Sequence, residues 1–232
     1  MLILAADTST RAASVAVGDG EKLYGEIYTD IKLKHSERLM LLVDDLLKNI
    51  GVGIGDIGMY AVTVGPGSFT GLRIAMAAVK GLCQSSGLPV AGISSLECCA
   101  LGQNASEGQY IIPILDAQRS DVYTALFRME GARPLRLEED RIMSIGELEE
   151  RVMGAEMPCV VCGDAVFRFR ETLENWDNAL IAPPARLLPH ASAMLGTAER
   201  MRSEGRLSDP MSIAPVYLRR SQAEADLEKK QC

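Results

Sequence analysis

The chain has 232 residues, 47% of them apolar and 24% charged, which supplies a packed core for one or two domains and excludes disorder over most of its length. A formal charge of −7 speaks against a protein that grips a phosphate backbone by itself. No apolar run approaches the ~20 residues of a membrane span, and the opening MLILAADTST lacks the basic and long apolar regions of a signal peptide.

Residues 2–7 (LILAAD) form an apolar run ending in aspartate. Residues 12–18 and 22–29 follow as strands around Asp19-Gly20, a hairpin signal, so the first three strands are antiparallel neighbours. Residues 35–50 predict a helix. Wound at about 100° per residue, its apolar positions other than Leu41 fill an arc of roughly 160°, wider than the ~100° that one core contact requires. A strand at 59–64 runs through GPGSFTG into a second helix at 71–86, stopped by Gly87 and Pro89. A short strand follows at 89–93. Ser94 and Glu97 have the spacing of a capping box for a helix at 94–103.

The polar stretch 104–109 (NASEGQ) is the expected boundary between two subdomains, 1–105 and 106–232. Beyond it the pattern restarts with an apolar strand at 110–116 ending in aspartate, a strand at 121–128 and another at 131–137. Helices are expected at 144–154, 166–175 and 189–204, with a strand at 159–162. Both halves open with apolar strand, aspartate and antiparallel meander, which reads as a pseudo-repeat of one α/β unit. The tail from about 221 is polar and expected to fray.

Chemical equipment is sparse. Six cysteines, Cys83, Cys98, Cys99, Cys159, Cys162 and Cys232, read as reduced thiols of a cytoplasmic protein. Cys159 and Cys162 sit i, i+3 on a strand and so point to opposite faces, poor geometry for a shared metal. His35 and His190 are the only histidines, and the position four after His35 is Leu39, so no H-x-x-x-H metal pair forms. No cofactor is expected. Gly53-Ile54-Gly55-Asp56-Ile57-Gly58 matches G-x-G-x-x-G but precedes its strand, the wrong context for dinucleotide binding.

Two features carry a functional reading. The first is Asp7-Thr8 at a strand end together with the loop holding Gly65, Gly67, Ser68 and Gly71. Backbone amides at a helix start make an anion site, yet no lysine follows the last glycine as a Walker loop requires. The loop is therefore either a phosphate or partner contact or a tight strand-to-helix turn. The second is the helix pair. Arg73 and Lys80 mark a face of 71–86 that also carries Met76, Ala77 and Gln84, and the overwide arc of 35–50 makes an interface the favoured reading.

ILAADTST at 3–10, VGPGSFTGLRIAMAAVKGL at 64–82, ISSLE at 93–97, DAQRSDVYTALF at 116–127 and PVYLR at 215–219 resemble, in order over almost the whole chain, the TsaB family of bacterial tRNA threonylcarbamoyladenosine biosynthesis proteins, also known as glycoprotease-like M22 homologues. The resemblance implies an actin-like ATPase fold, shared with acetate and sugar kinases and heat-shock chaperones, with two similar subdomains. It also implies a non-catalytic paralogue of TsaD, the subunit that carries the metal pair and modifies adenosine 37 of tRNA. The implied partners are a TsaD-like paralogue, a TsaE-like ATPase and a second copy of the chain, docked through the first two helices, with tRNA reached only in the complex. Such helices from two partners pack as a four-helix bundle, for which Met40, Leu47, Arg73, Met76 and Lys80 are the expected contacts. Asp7, Thr8, Gly65, Gly67, Ser68 and Gly71 would then be a vestigial phosphate loop. The alternative is an ATP-dependent phosphotransferase or M22-type metal peptidase, with Asp7, Asp116 and the loop at 65–71 holding Mg²⁺ and phosphates.

Overall fold

A computed structural model describes residues 1–31 and 34–219; the tail from about 221 and Cys232 lie outside the described residues. Two mixed sheets form two lobes. The first sheet has the order β3-β2-β1-β4-β5, built from β1 (Leu2–Asp7), β2 (Ala13–Gly18), β3 (Leu23–Thr29), β4 (Ile57–Gly65) and β5 (Val90–Ser94). β1, β4 and β5 are parallel, and β2 and β3 fold back antiparallel. The second sheet repeats the plan as β10-β7-β6-β11-β12, from β6 (Tyr110–Asp116), β7 (Asp121–Thr124), β10 (Arg141–Ser144), β11 (Cys159–Cys162) and β12 (Ala179–Ile181). Its parallel trio is β6, β11 and β12, and its antiparallel pair is β7 and β10. An added hairpin, β8 (Phe127–Glu130) and β9 (Arg133–Arg136), pairs with the start of β6.

Helices cover the sheets. On the first lobe α1 (His35–Ile50) and α2 (Phe69–Ser86) share one face and one core, where Leu39, Leu42, Val43, Leu46 and Leu47 meet Ala75, Met76 and Val79. Each large side chain so buried contributes about 1.5–3 kcal/mol. α3 (Ser95–Leu101), capped as Ser94 Oγ accepts from the Glu97 N–H at 3.4 Å, leads to the second lobe. There α4 (Ile145–Met153) and α5 (Ala165–Leu173) pack on a core that includes Phe127, Trp176 and the thiols of Cys159 and Cys162. Both cysteines are buried and unpaired, as expected of core residues.

The chain then returns. Ala191, Met194 and Ala198, the last on α6 (Leu195–Ser203), pack against Ile3, Ala16 and Met59 on the other face of the first sheet. The first sheet ends with β5 at Ser94 and the second begins with β6 at Tyr110, while the packing of 191–219 completes the first lobe. The helix expected over 189–204 begins as a 3-10 turn, Ala191–Met194.

Candidate functional site

The Asp7–Thr10 turn and the loop between β4 and α2 are brought together as expected. Asp7, Thr8 and Ser9 have no exposed surface. Asp7 Oδ1 accepts from Thr63 Oγ1 at 2.6 Å and from the Ser9 N–H at 3.1 Å. Burial pushes its carboxyl above the usual range, against these hydrogen bonds and the nearby His35. Thr8 Oγ1 donates to the Gly71 carbonyl at 2.7 Å, and the Ser68 N–H donates to the Ser9 carbonyl at 2.7 Å.

Glycine makes this contact possible. A Cβ at Gly71 would lie 1.9 Å from Thr8 O, and one at Gly67 (φ +153°) 2.4 Å from Ser9 O. Gly65 closes β4 and joins Pro66 by a cis peptide bond. Ser68 caps α2 by accepting from the Gly71 N–H at 3.2 Å. Two of the loop's amides are committed to the chain's own groups, Ser68 to the Ser9 carbonyl and Gly71 to the Ser68 hydroxyl, so these residues form a staple between turn and helix. Among the described residues no group of three or more His, Cys, Asp or Glu is placed to hold a metal ion.

The second lobe has its own acids at the end of β6 and the start of α5. Asp116 is exposed and pairs with Arg168 at 3.0 Å. Asp164 is half-buried, accepts from the Asp116 N–H at 2.9 Å, and desolvation raises its carboxyl to about 6. Arg11, in the turn after Asp7, reaches across to stack on Phe167 of α5 with its guanidinium carbon 4.7 Å from the ring centre. Neither Asp164 nor this bridge is readable from spacing.

The expected helix-pair surface is corrected in part. Leu47 and Met76 do not reach it: they are 8% and 4% exposed in the first lobe's core. On α1 the buried positions 39, 42, 43, 46 and 47 occupy about 140° at 100° per residue, wider than one contact because both the sheet and α2 pack on them. Met40, at the edge of that arc, and Leu41, beyond it, are left 47% and 58% exposed. On α2 Met76 is buried along one edge of the stripe Leu72, Ala75, Val79 and Cys83.

Arg73 and Lys80 do lie toward the surface, on a flank of α2 crossed by a strap formed from residues 209–219. Lys80 Nζ donates to the Met211 carbonyl at 3.4 Å, and Arg73 Nε to Tyr217 Oη at 3.0 Å. The Arg73 guanidinium sits 3.9 Å from the Phe69 ring centre, and Phe69 stacks on Tyr217 at 4.8 Å. The Val216 N–H binds the Val64 carbonyl at 2.7 Å. Arg219 then ties the strap to Ala117 and Asp121 of the second lobe. Phe69, Val216 and Tyr217 remain exposed, so α1, α2 and the strap each leave large apolar or aromatic groups at the surface. The sequence signal for the last two lay in the SFTGLR and PVYLR stretches, whose aromatics meet only in three dimensions. Arg200, Arg202, Arg206 and Arg219 each face a carboxylate of the chain itself.

Comparison with known proteins follows the same line. A family model described as "TsaD: tRNA N6-adenosine threonylcarbamoyltransferase" matches residues 29–225. The chain is 30% identical over 229 residues to a Bacillus subtilis protein named tRNA threonylcarbamoyladenosine biosynthesis protein TsaB, covering 97% of each. It is 30% identical over 236 residues to the protein of that name from Escherichia coli, covering all of each. A solved Pseudomonas aeruginosa structure, described as similar to the peptidase YeaZ, superposes with a TM-score of 0.79 at 28% identity, covering 94% of this chain and 99% of that one. Component A of (R)-2-hydroxyglutaryl-CoA dehydratase from Acidaminococcus fermentans shares the fold alone, at 12% identity and a TM-score of 0.52. The architecture is the actin-like ATPase fold, with two similar α/β subdomains.

Proposed function

From the premise that this chain belongs to the TsaB family of tRNA threonylcarbamoyladenosine biosynthesis proteins, we propose that it is the non-catalytic scaffold of threonylcarbamoyl transfer to adenosine 37 of tRNA. It works in the cytoplasm by docking a TsaD-like catalytic paralogue, with a TsaE-like ATPase joining the pair and tRNA engaged only in the complex. Alone, it pairs with a second copy through the same surface.

The observation that carries this reading is a set of exposed groups. Met40 and Leu41 on α1, and Phe69, Arg73 and Tyr217 across α2 and the strap, are aromatic, arginine and large apolar groups left in water. Tyr and Arg are the types that dominate interface energies. A two-helix contact of about 800 Å² per partner covers such groups. The stapled loop supports the same reading, because its Ser68 and Gly71 amides serve the fold.

The test is a double substitution, Met40→Glu with Leu41→Glu. Both side chains are exposed, so the fold is retained, whereas Met76→Glu would bury a charge in the core. Capture of the TsaD-like paralogue should weaken at least tenfold, and sedimentation should show a monomer. Wild-type capture by this variant would overturn the proposed surface. Tight MgATP binding by the lone chain in calorimetry would instead favour the phosphotransferase alternative.

A further inference from the structure

The second lobe contains a cavity of 320 Å³ that lies outside the stapled loop and the helix-pair residues. It opens between α4 and the sheet face of β6, β7 and β10. Its apolar wall comes from Ile112, Met143, Leu148, Ala155 and Cys159. Two other wall residues are polar and incompletely bonded. Thr124 Oγ1 and Arg141 Nε are both buried without a hydrogen-bond partner. They are direct cross-strand neighbours, since Thr124 pairs with Arg141 in the β7–β10 register. Side chains so paired stand on the same face with Cβ atoms about 5 Å apart.

Two unmet polar groups side by side are costly in a folded chain. Both are able to donate. A single acceptor group placed between them satisfies both. The charges of the lining balance, Glu138 and Glu150 against Arg141 and Arg151, so recognition rests on the two unmet donors. Glu138 accepts from both Arg151 and Arg141, so one carboxylate faces two guanidiniums at the inner rim, and Glu150, the other rim acid, is exposed to water.

We infer that this cavity is a binding site for a small carboxylate with an apolar body, its oxygens held by Thr124 and Arg141 and its body against Ile112, Met143 and Leu148. The volume stands at the low end of the ~300–1,000 Å³ of small-molecule sites, room for one ring or one branched chain. The site is independent of the docking role, because none of its residues belongs to that exposed set.

The experiment uses the full chain with phenylacetate as probe and methyl NMR as readout. Phenylacetate should shift the Ile112, Met143 and Leu148 methyl signals saturably, and phenylacetamide and toluene should bind at least tenfold more weakly. Thr124→Val should weaken phenylacetate about tenfold, the loss of one hydrogen bond to a charged group, and Thr124→Ser should restore it. Absence of saturable shifts at these methyls would overturn the inference, leaving a cavity that holds water only. Equal binding of the neutral probes, or unchanged affinity in Thr124→Val, would overturn the carboxylate assignment.

Discussion

The two lobes start alike and finish differently. Each opens with an apolar strand ending in aspartate, Asp7 on β1 and Asp116 on β6, followed by a turn into an antiparallel partner. Asp7 and its turn are sealed under the start of α2, with Thr8 and Ser9 bonded to that helix and its loop. Asp116 faces water, paired with Arg168, and its turn carries left-handed backbone at Gln118 (φ +67°) and Arg119 (φ +58°), a conformation uncommon for side chains other than glycine. One sequence grammar thus yields a structural staple in one lobe and an open, water-facing turn in the other. What decides is the element packed above. α2 enters through a glycine loop that allows backbone-to-backbone contact, whereas α5 presents the desolvated carboxyl of Asp164 to the Asp116 N–H.

That contrast can be broken most forcefully at Gly71. Gly71→Ala places a methyl 1.9 Å from Thr8 O, so backbone must move, and a loss of about 3 kcal/mol or more is expected in urea denaturation. A loss below about 1 kcal/mol would mean that turn and helix are not held as tightly as the distances indicate.

Asp164 gives the next effect, and it depends on pH. Burial raises its carboxyl from 3.8 to about 6, so the folded state holds the proton more tightly than the unfolded chain. Stability therefore falls as pH rises from about 4 to about 6, and the deficit is complete above that. Asp164→Asn keeps an acceptor for the Asp116 N–H and removes the charge. It should raise stability at pH 7.5 by up to about 3 kcal/mol, from two pH units at 1.36 kcal/mol each, and change it little at pH 4. Thermal melts at the two pH values decide: equal shifts at both would contradict a raised carboxyl.

The smallest effect belongs to the exposed partner. Asp116→Ala removes an ion pair whose side chains are 41–42% exposed, and such pairs contribute no more than about 1 kcal/mol. A loss of several kcal/mol in the same denaturation assay would show that the second turn is as structural as the first.

Much of the fold was legible along the chain. The helix expected at 35–50 coincides with α1, and the strands at 110–116 and 159–162 with β6 and β11, because long apolar periodicity and apolar runs bounded by turn residues are local signals. The strand expected at 121–128 is two, broken at Ala125 and Leu126 where pairing passes from β7 to β8. β10 and β12 escaped notice because strands of four and three residues carry little alternation to read. In the candidate site, Asp7, Thr8, Ser68 and Gly71 were found and do meet. Leu47 and Met76 were assigned outward when they point inward, since an arc computed for one helix does not say how much of it two neighbours cover.

By itself the sequence determined the α/β class, the repeat of one unit and the family, since apolar period, turn chemistry and the GPGSFTGLR and DTST stretches are properties of adjacent residues. Only tertiary structure decided which apolar side chains stay in water, that 191–219 return to complete the first lobe, and that the Ser68 amide is spent on the Ser9 carbonyl. Those outcomes depend on which distant segments pack together, and packing is a contest between surfaces that no single stretch of sequence contains.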